Sequence, residues 1–261
     1  MKHGLLVANI GTYADPRAFV HVARAAEAAG WDAVLIWDHL AFVWGMRSAD
    51  PWVSLAAAAV STDRVLLGTG VTPVARRRPQ VLAHEVATLA TLAPGRVVLG
   101  AGLGGGHNEF RAFGEDESER GRAARLDEGL DVVRALLSGE RVEHYGPHYR
   151  VDSVSLATAP DEPVPIWIGG MSRRARERAS RFDGWFADTA SPSEMTTSPD
   201  ELAAMLEGFE FRDVAVMGYS EAGQQDVHEA YARAGATWWI EQVHDMRGDA
   251  DAILARVAAG P

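Results

Sequence analysis

The stretch Arg96–Phe110 reads RVVLGAGLGGGHNEF, and the purpose of its glycines decides the fold of the whole chain. Gly100, Gly102 and Gly105 satisfy G-x-G-x-x-G, the spacing that lets a backbone approach a dinucleotide pyrophosphate. In a dinucleotide-binding fold that motif follows the first strand and opens a helix directly. Here three β-rich runs, LLVANI, DAVLIW and RVLLGTGV, come before it, so the glycines end a fourth strand. After Gly106 the chain continues HNEFRAFGEDESER, and a good helical pattern begins only near Ser118. No acidic residue ends a strand about 20 residues further on, as the dinucleotide fold requires; Asp127 and Glu128 fall inside the helical pattern. The context rejects a Rossmann fold. In a barrel, by contrast, the loop after the fourth strand lies at the face where active sites form. Five glycines between Gly100 and Gly106 exceed the needs of one turn and favour close approach of a ligand or a mobile loop.

Outward from this stretch the same alternation continues. The later β-rich runs are VPIWIGG, GWFAD, DVAVMGY and ATWWIEQ. Between most strands lie alanine- and leucine-rich segments with helical spacing: Pro16–Ala29, Pro51–Ser61, Pro79–Leu92, Ser118–Leu137, Ser172–Arg181, Pro199–Leu206, Glu221–Ala234 and Asp249–Ala258. Several open on Pro, or on Asp or Ser just ahead of the apolar pattern, as helix starts do. Strands this continuously apolar are buried on both faces, as in parallel sheets. The β-then-α unit recurs about eight times, the arithmetic of a (β/α)8 TIM barrel; a doubly wound open sheet is the alternative. Glu140–Val154, ERVEHYGPHYRVDSV, interrupts the alternation and reads as a hairpin inserted before strand five. No Pro-, Gly- or Ser-rich linker divides residues 1–261, which read as one domain.

With 47% hydrophobic and 23% charged residues among 261, the chain can bury a full core. The formal net charge of -11 argues against a nucleic-acid partner, which a basic face would announce. No apolar run approaches the roughly 20 residues of a membrane span, and the start MKHGLLVANIG reads as a first strand rather than a signal. The absence of cysteine excludes disulfides, thiolate metal sites and cysteine nucleophiles and suggests a cytoplasmic setting. Lys2 is the only lysine, which argues against Schiff-base chemistry. No metal site stands out: His144 and His148 sit on the expected hairpin and read as surface residues. No G-x-S-x-G turn supports a serine nucleophile.

The strand ends supply the candidates. Strand two ends IWDHL and delivers Asp38 and His39; the histidine can donate or accept a proton near neutral pH, while a cap or structural pair is the bland alternative. Strand three ends GTGVTPV, so Gly70, Val71 and Thr72 could line a pocket, with the Thr72 hydroxyl as a donor. The run Arg76–Arg78 reads as a solvated face, or else as an anion or partner contact. Strand five ends IWIGGMSRRARER. Arg173 and Arg174 in a first helical turn oppose the helix dipole by about 0.3–1 kcal/mol each, and an anion at Gly169, Gly170 and that helix start would reverse the penalty. Asp188, Tyr219 and Glu241 follow strands six to eight and are too generic to name a substrate.

These landmarks in this order resemble the bacterial luciferase-like monooxygenase family. The resemblance is carried by AAEAAGWDAVLIWDHL, by the run from Asp50 to Gly104, by EFRAFGE, RAARLDEGLDVVRALLSGE and PVPIWIGG, and it weakens beyond Asp188. It implies a TIM barrel that binds coenzyme F420, or alternatively FMN, at its C-terminal face. It places Asp38 and His39 beside the ring as catalytic residues and implies a non-prolyl cis peptide at Gly70–Val71. By the same resemblance Gly70, Val71, Thr72, Gly102, Asn108, Gly169, Gly170 and Arg173 hold the cofactor. The activity implied is hydride transfer between F420 and a small organic substrate. The alternatives are an FMN-dependent monooxygenase using reduced flavin and O2, and a flavin-binding protein without turnover. A homodimer and a separate reductase complete the expectation. One departure is visible: sugar-phosphate dehydrogenases of the family carry a catalytic glutamate at the position of Gly105.

Overall fold

A computed structural model describes residues 1–261. Eight strands are β1 Lys2–Val7, β2 Ala33–Ile36, β3 Leu66–Thr69, β4 Val97–Gly102, β5 Ile166–Gly169, β6 Gly184–Ala187, β7 Asp213–Gly218 and β8 Trp238–Val243. Every neighbouring pair is parallel, and pairings of β8 with β1 and of β3 with β4 close the ring. The barrel expected from the eightfold alternation is the fold. Around it lie α1 Pro16–Ala28, α2 Pro51–Ala59, α3 Pro79–Leu92, α4 Glu119–Leu137, α5 Arg173–Ala179, α6 Pro199–Leu206, α7 Gln225–Arg233 and α8 Ala250–Ala258.

The helix starts are where the sequence signals put them. Asp15, Asp50, Ser118, Ser172, Ser198 and Asp249 each accept a hydrogen bond from an N–H of the first turn, a contact worth about 1 kcal/mol. Helix α7 begins four residues later than the pattern from Glu221 implies. The Gln224 side chain takes the Glu221 N–H, and Gly223 adopts φ +84°, so the segment turns before it can coil. The inserted hairpin pairs Val142–Tyr145 antiparallel with Arg150–Val154. Glu128 of α4 fastens it, accepting the His148 and Tyr149 N–H groups and lying 3.0 Å from His144 Nε2. No cluster of His, Asp and Glu suited to a metal ion occurs.

Alternation along the strands sorts side chains into two layers. Leu6, Ala33, Leu35, Val98, Trp167, Phe186, Ala215, Met217, Trp238 and Ile240 fill the barrel interior. Their neighbours, such as Leu5, Val34, Ile36 and Trp239, pack outward under the helices. The end where the strands begin is plugged by Trp167 and Trp238, edge to face at 5.2 Å, with both indole N–H groups donated to the Asp213 carboxylate. Lys2 lies over the Trp238 ring there. The opposite end stays open because residues with small side chains, Gly70, Gly102 and Gly169, face its mouth.

The glycines of Arg96–Phe110 serve different ends. A Cβ on Gly100 would collide with the Thr69 carbonyl, and one on Gly102 with Val71. These two therefore permit β3, the short extended pair Thr72–Pro73 and β4 to approach one another. Gly104 takes φ +79°, a turn requirement. Only Gly105, which borders the open end, has free space where a side chain would stand. We expect Gly100→Ala to lower stability by about 1–3 kcal/mol through backbone displacement. Gly105→Ala should stay within about 0.5 kcal/mol of the parent. Thermal unfolding of the two variants checks the contrast.

Candidate active site

At the open end of the barrel lies a cavity of about 920 Å³. Its walls come from the residues that follow β2 to β7 and from the first turns of α4 and α5. Trp37 and His39 reach it because β2 presents Ala33 and Leu35 to the interior, and the same two-residue period carries the next pair to the mouth. The Gly70–Val71 peptide is cis, and both residues line the cavity together with Gly102, Gly169 and Gly170. Gly170 has φ +124° and gives its carbonyl to the Trp185 indole N–H, 2.8 Å away.

His39 is held from three sides. Its Nδ1 lies 2.6 Å from Glu109 Oε1, its main chain is bracketed by Asn9, and Trp37 and Trp44 flank the ring at 5.6 and 5.4 Å. A carboxylate only accepts, so Nδ1 donates to Glu109 and Nε2 is the ring's remaining nitrogen. Glu109 is 1% exposed and uses both oxygens: Oε1 for His39, Oε2 for the Leu40 N–H at 2.9 Å and for Arg76. Burial pushes its carboxyl up, but the His39 and Leu40 hydrogen bonds and the Arg76 charge outweigh that and hold it below the ordinary carboxylate range.

Asp38, expected as a catalytic partner of His39, faces the other way. Although it borders the cavity, it is 2% exposed, with Oδ1 2.7 Å from Arg76 Nη2 and Oδ2 2.9 Å from Arg77 Nη2. The residue between two inward-facing positions must point outward, so the strand period that brings His39 to the cavity turns the Asp38 carboxylate onto Arg76 and Arg77. Arg76 and Arg77 are accordingly neither solvated nor anion-binding; their side chains are 6% and 16% exposed and anchor the strand ends.

Three further expectations shift. Thr72 is fully buried, outside the cavity lining, and its hydroxyl has no partner. Asn108 is exposed in the one-turn helix Asn108–Arg111 and bonds Arg111 instead of reaching the cavity. Arg173 points to solvent, pairing with Glu177 at 3.0 Å, whereas the next residue, Arg174, lines the cavity along with Arg120 and Arg178. A one-residue error on a helix rotates a side chain by about 100°. Asp188 does line the cavity, but Tyr219 does not, and Glu241 is tied to Ser220, Trp239 and Arg247.

Sequence reasoning missed Asn9 and Arg122. Asn9 is fully buried and donates to the His39 and Ala49 carbonyls, 2.9 and 2.8 Å away. Its signal was a lone amide inside the apolar run LLVANI. Arg122 of α4 is 2% exposed and grips the Leu103 and Gly104 carbonyls, fixing the glycine loop against the helix. Nothing in an arginine-rich helix distinguishes it.

The Glu109 network sets an acid limit on stability. Its folded pKa lies below the unfolded value, so its contribution is present above about pH 4.3 and is lost as pH falls through the folded value. Glu109→Gln should destabilise the protein by about 3–5 kcal/mol at neutral pH, because the Arg76 charge loses a buried partner. Its thermal midpoint should also fall less than that of the parent on acidification, as melting curves across roughly pH 3 to 7 will show.

The geometry agrees with what the chain is similar to. The model of the luciferase-like monooxygenases matches residues 4–255. An F420-dependent glucose-6-phosphate dehydrogenase of Nakamurella multipartita is 37% identical over 75% of this chain and 58% of its own length. An F420-dependent hydroxymycolic acid dehydrogenase of Mycobacterium tuberculosis is 36% identical over 83% of this chain and 61% of its own. The chain thus spans about three fifths of the curated relatives it matches. Among solved structures, an F420-dependent secondary alcohol dehydrogenase in complex with an F420-acetone adduct superposes with a TM-score of 0.82 at 20% identity, covering 100% of this chain and 99% of that one. An FMN-bound Baeyer-Villiger monooxygenase component from Pseudomonas putida gives 0.73 at 13% identity, over 99% and 96%. Matched over nearly its whole length and carrying the barrel, the chain belongs to the luciferase-like monooxygenase family.

Proposed function

We propose that this chain is an oxidoreductase that uses coenzyme F420 and acts on a small organic substrate. The observation that carries this reading is the joining of one cavity with a glycine-faced wall to a histidine whose ring is fixed by a buried carboxylate. The identity of about 37% to F420-dependent dehydrogenases supports F420 over FMN as the partner.

The residues present suit such a group. A flat ring needs a wall with few projecting side chains, and Gly70, Gly102 and Gly169 provide it around Val71. An anionic tail needs unpaired cations, and Arg120 and Arg174 face the cavity from the first turns of α4 and α5. Gly169 and Gly170 stand beside Arg174 on the same side. When bound, F420 supplies the hydride acceptor or donor; the protein supplies position and electrostatics.

In this reading His39 touches the reacting atoms. With Nδ1 held by Glu109, Nε2 takes the hydroxyl proton of the substrate or returns it, and the adjacent carboxylate stabilises the charged ring. Trp37 and Trp44 flank the ring and restrict its rotation. Glu109 and Asn9 act through His39 and are positioning residues. The reading includes a homodimer, for which the exposed Val53, Val81 and Leu92 of α2 and α3 offer an apolar face.

Separate titrations with F420 and FMN, followed by absorbance and tryptophan fluorescence, should show micromolar binding of F420 alone. Tight binding of FMN instead would turn the reading toward flavin chemistry, and binding of neither would end it. His39→Ala should keep the cofactor and lose turnover by about 10²–10⁴-fold, the usual worth of a positioned proton-transfer group. Unchanged rates would remove His39 from the mechanism.

A further inference from the structure

The acidic groups that border the cavity differ in what they have left to offer. Asp38 and Glu109, buried behind it, have both oxygens engaged by arginines, His39 and a main-chain N–H. Glu119 sits at the exposed start of α4, next to Arg120. Asp188 shares the exposure of Glu119 but stands on the other side, at a strand end. It is the first residue beyond β6, and the strand period that turns Phe186 into the barrel turns Asp188 the same way, into the cavity mouth. Its side chain keeps access to solvent at the mouth, the surrounding protein still raises its carboxyl above the ordinary aspartate range, and no cation or hydrogen-bond donor of the chain offsets the effect.

The charges of the cavity are divided between its sides. All three arginines of the lining, Arg120, Arg174 and Arg178, belong to α4 and α5, and Arg178 is already paired with Asp127 at 2.7 and 2.9 Å. The residues lent by β6, β7 and the turn after β6 are Phe186, Met217 and Asp188, with no cation among them. The chain's single lysine lies over Trp238 at the closed end of the barrel. Gly105, which also borders the cavity, leaves open space and brings no side chain of its own.

We propose that Asp188 determines substrate charge: its carboxylate accepts a hydrogen bond from a hydroxyl or ammonium group of an uncharged or cationic substrate, and it turns phosphate esters and carboxylates away. This rests on reading the cavity as the F420-dependent substrate site. The physical ground is that a carboxylate lining the mouth without a partner in the chain loses water when a substrate covers it and then needs a donor, whereas an anion placed beside it would add a second uncompensated charge. The substrate this describes has an apolar body against Phe186, Met217 and Trp37 and a donor group near Asp188. It is thus unlike the sugar phosphate named for the Nakamurella multipartita relative.

The test compares probes of one shape and three charges on F420-loaded protein: 1,4-cyclohexanediol, 4-aminocyclohexanol and 4-hydroxycyclohexanecarboxylate, with glucose 6-phosphate as a fourth. Binding is read from tryptophan fluorescence, and kcat and KM from F420 absorbance. The parent should favour the diol and the amine over both anions by about tenfold or more, the worth of one charged hydrogen bond. Asp188→Asn should narrow that gap chiefly through KM, Asp188→Glu should preserve it, and Asp188→Lys should reverse it. A parent that prefers either anion, the same order in Asp188→Asn, or binding of none of the four probes would overturn the proposal. Failure of the parent to bind F420 at all would overturn the cofactor reading instead.

Discussion

Arg76 joins two buried carboxylates that belong to different strand ends, and the candidate site depends on that junction. One guanidinium nitrogen meets Asp38 after β2, the other meets Glu109 after β4, and Arg76 itself follows β3. Three neighbouring loops are thereby fixed at the open end of the barrel. Burying three charges costs several kcal/mol per ion, and only near-complete hydrogen bonding repays it. Asp38 and Glu109 reach that condition through Arg77, His39 and the Leu40 N–H. Geometric fixity is the return, since His39 can hold a set orientation only if Glu109 itself cannot move.

The barrel explains why this fixity sits where it does. Side chains from the strands fill the interior at the beginning of the strands, where Trp167, Trp238 and Asp213 form a closed floor. Toward the strand ends the interior positions become glycine on β3, β4 and β5, and the packed core gives way to a cavity. The same substitutions that open the space also allow the close approach of β3 and β4, so Gly100 and Gly102 serve packing as much as access. Function and fold are coupled through the sizes of these few residues.

The charge layout then separates the cavity into regions of different chemistry. Arginines face it from α4 and α5, a fixed histidine faces it from β2, and apolar side chains with one free carboxylate face it from β6 and β7. Such a division fits a ligand with an anionic tail and a flat body lying beside a second molecule without negative charge. The relatives that share the barrel differ in what they are named for, as expected where the loops, and not the fold, select the substrate.

The sequence by itself determined the periodic features. Apolar strands alternating with capped amphipathic helices reported the barrel, the hairpin and most helix starts, because local propensity and burial pattern act over a few neighbouring residues. It also placed His39 and the glycine pair 169–170 at the mouth, since strand ends are readable from those same patterns. Only the tertiary structure decided which neighbour in each pair turns toward the cavity or the network that backs it: His39 over Asp38, Arg174 over Arg173, Glu109 over Asn108. A strand or a helix turns a side chain away with a shift of one residue, and the partner that holds it lies some 30 to 70 positions distant along the chain. Long-range pairing of charges leaves no periodic trace, so Arg76, Asn9 and Arg122 acquired their meaning only when the barrel closed.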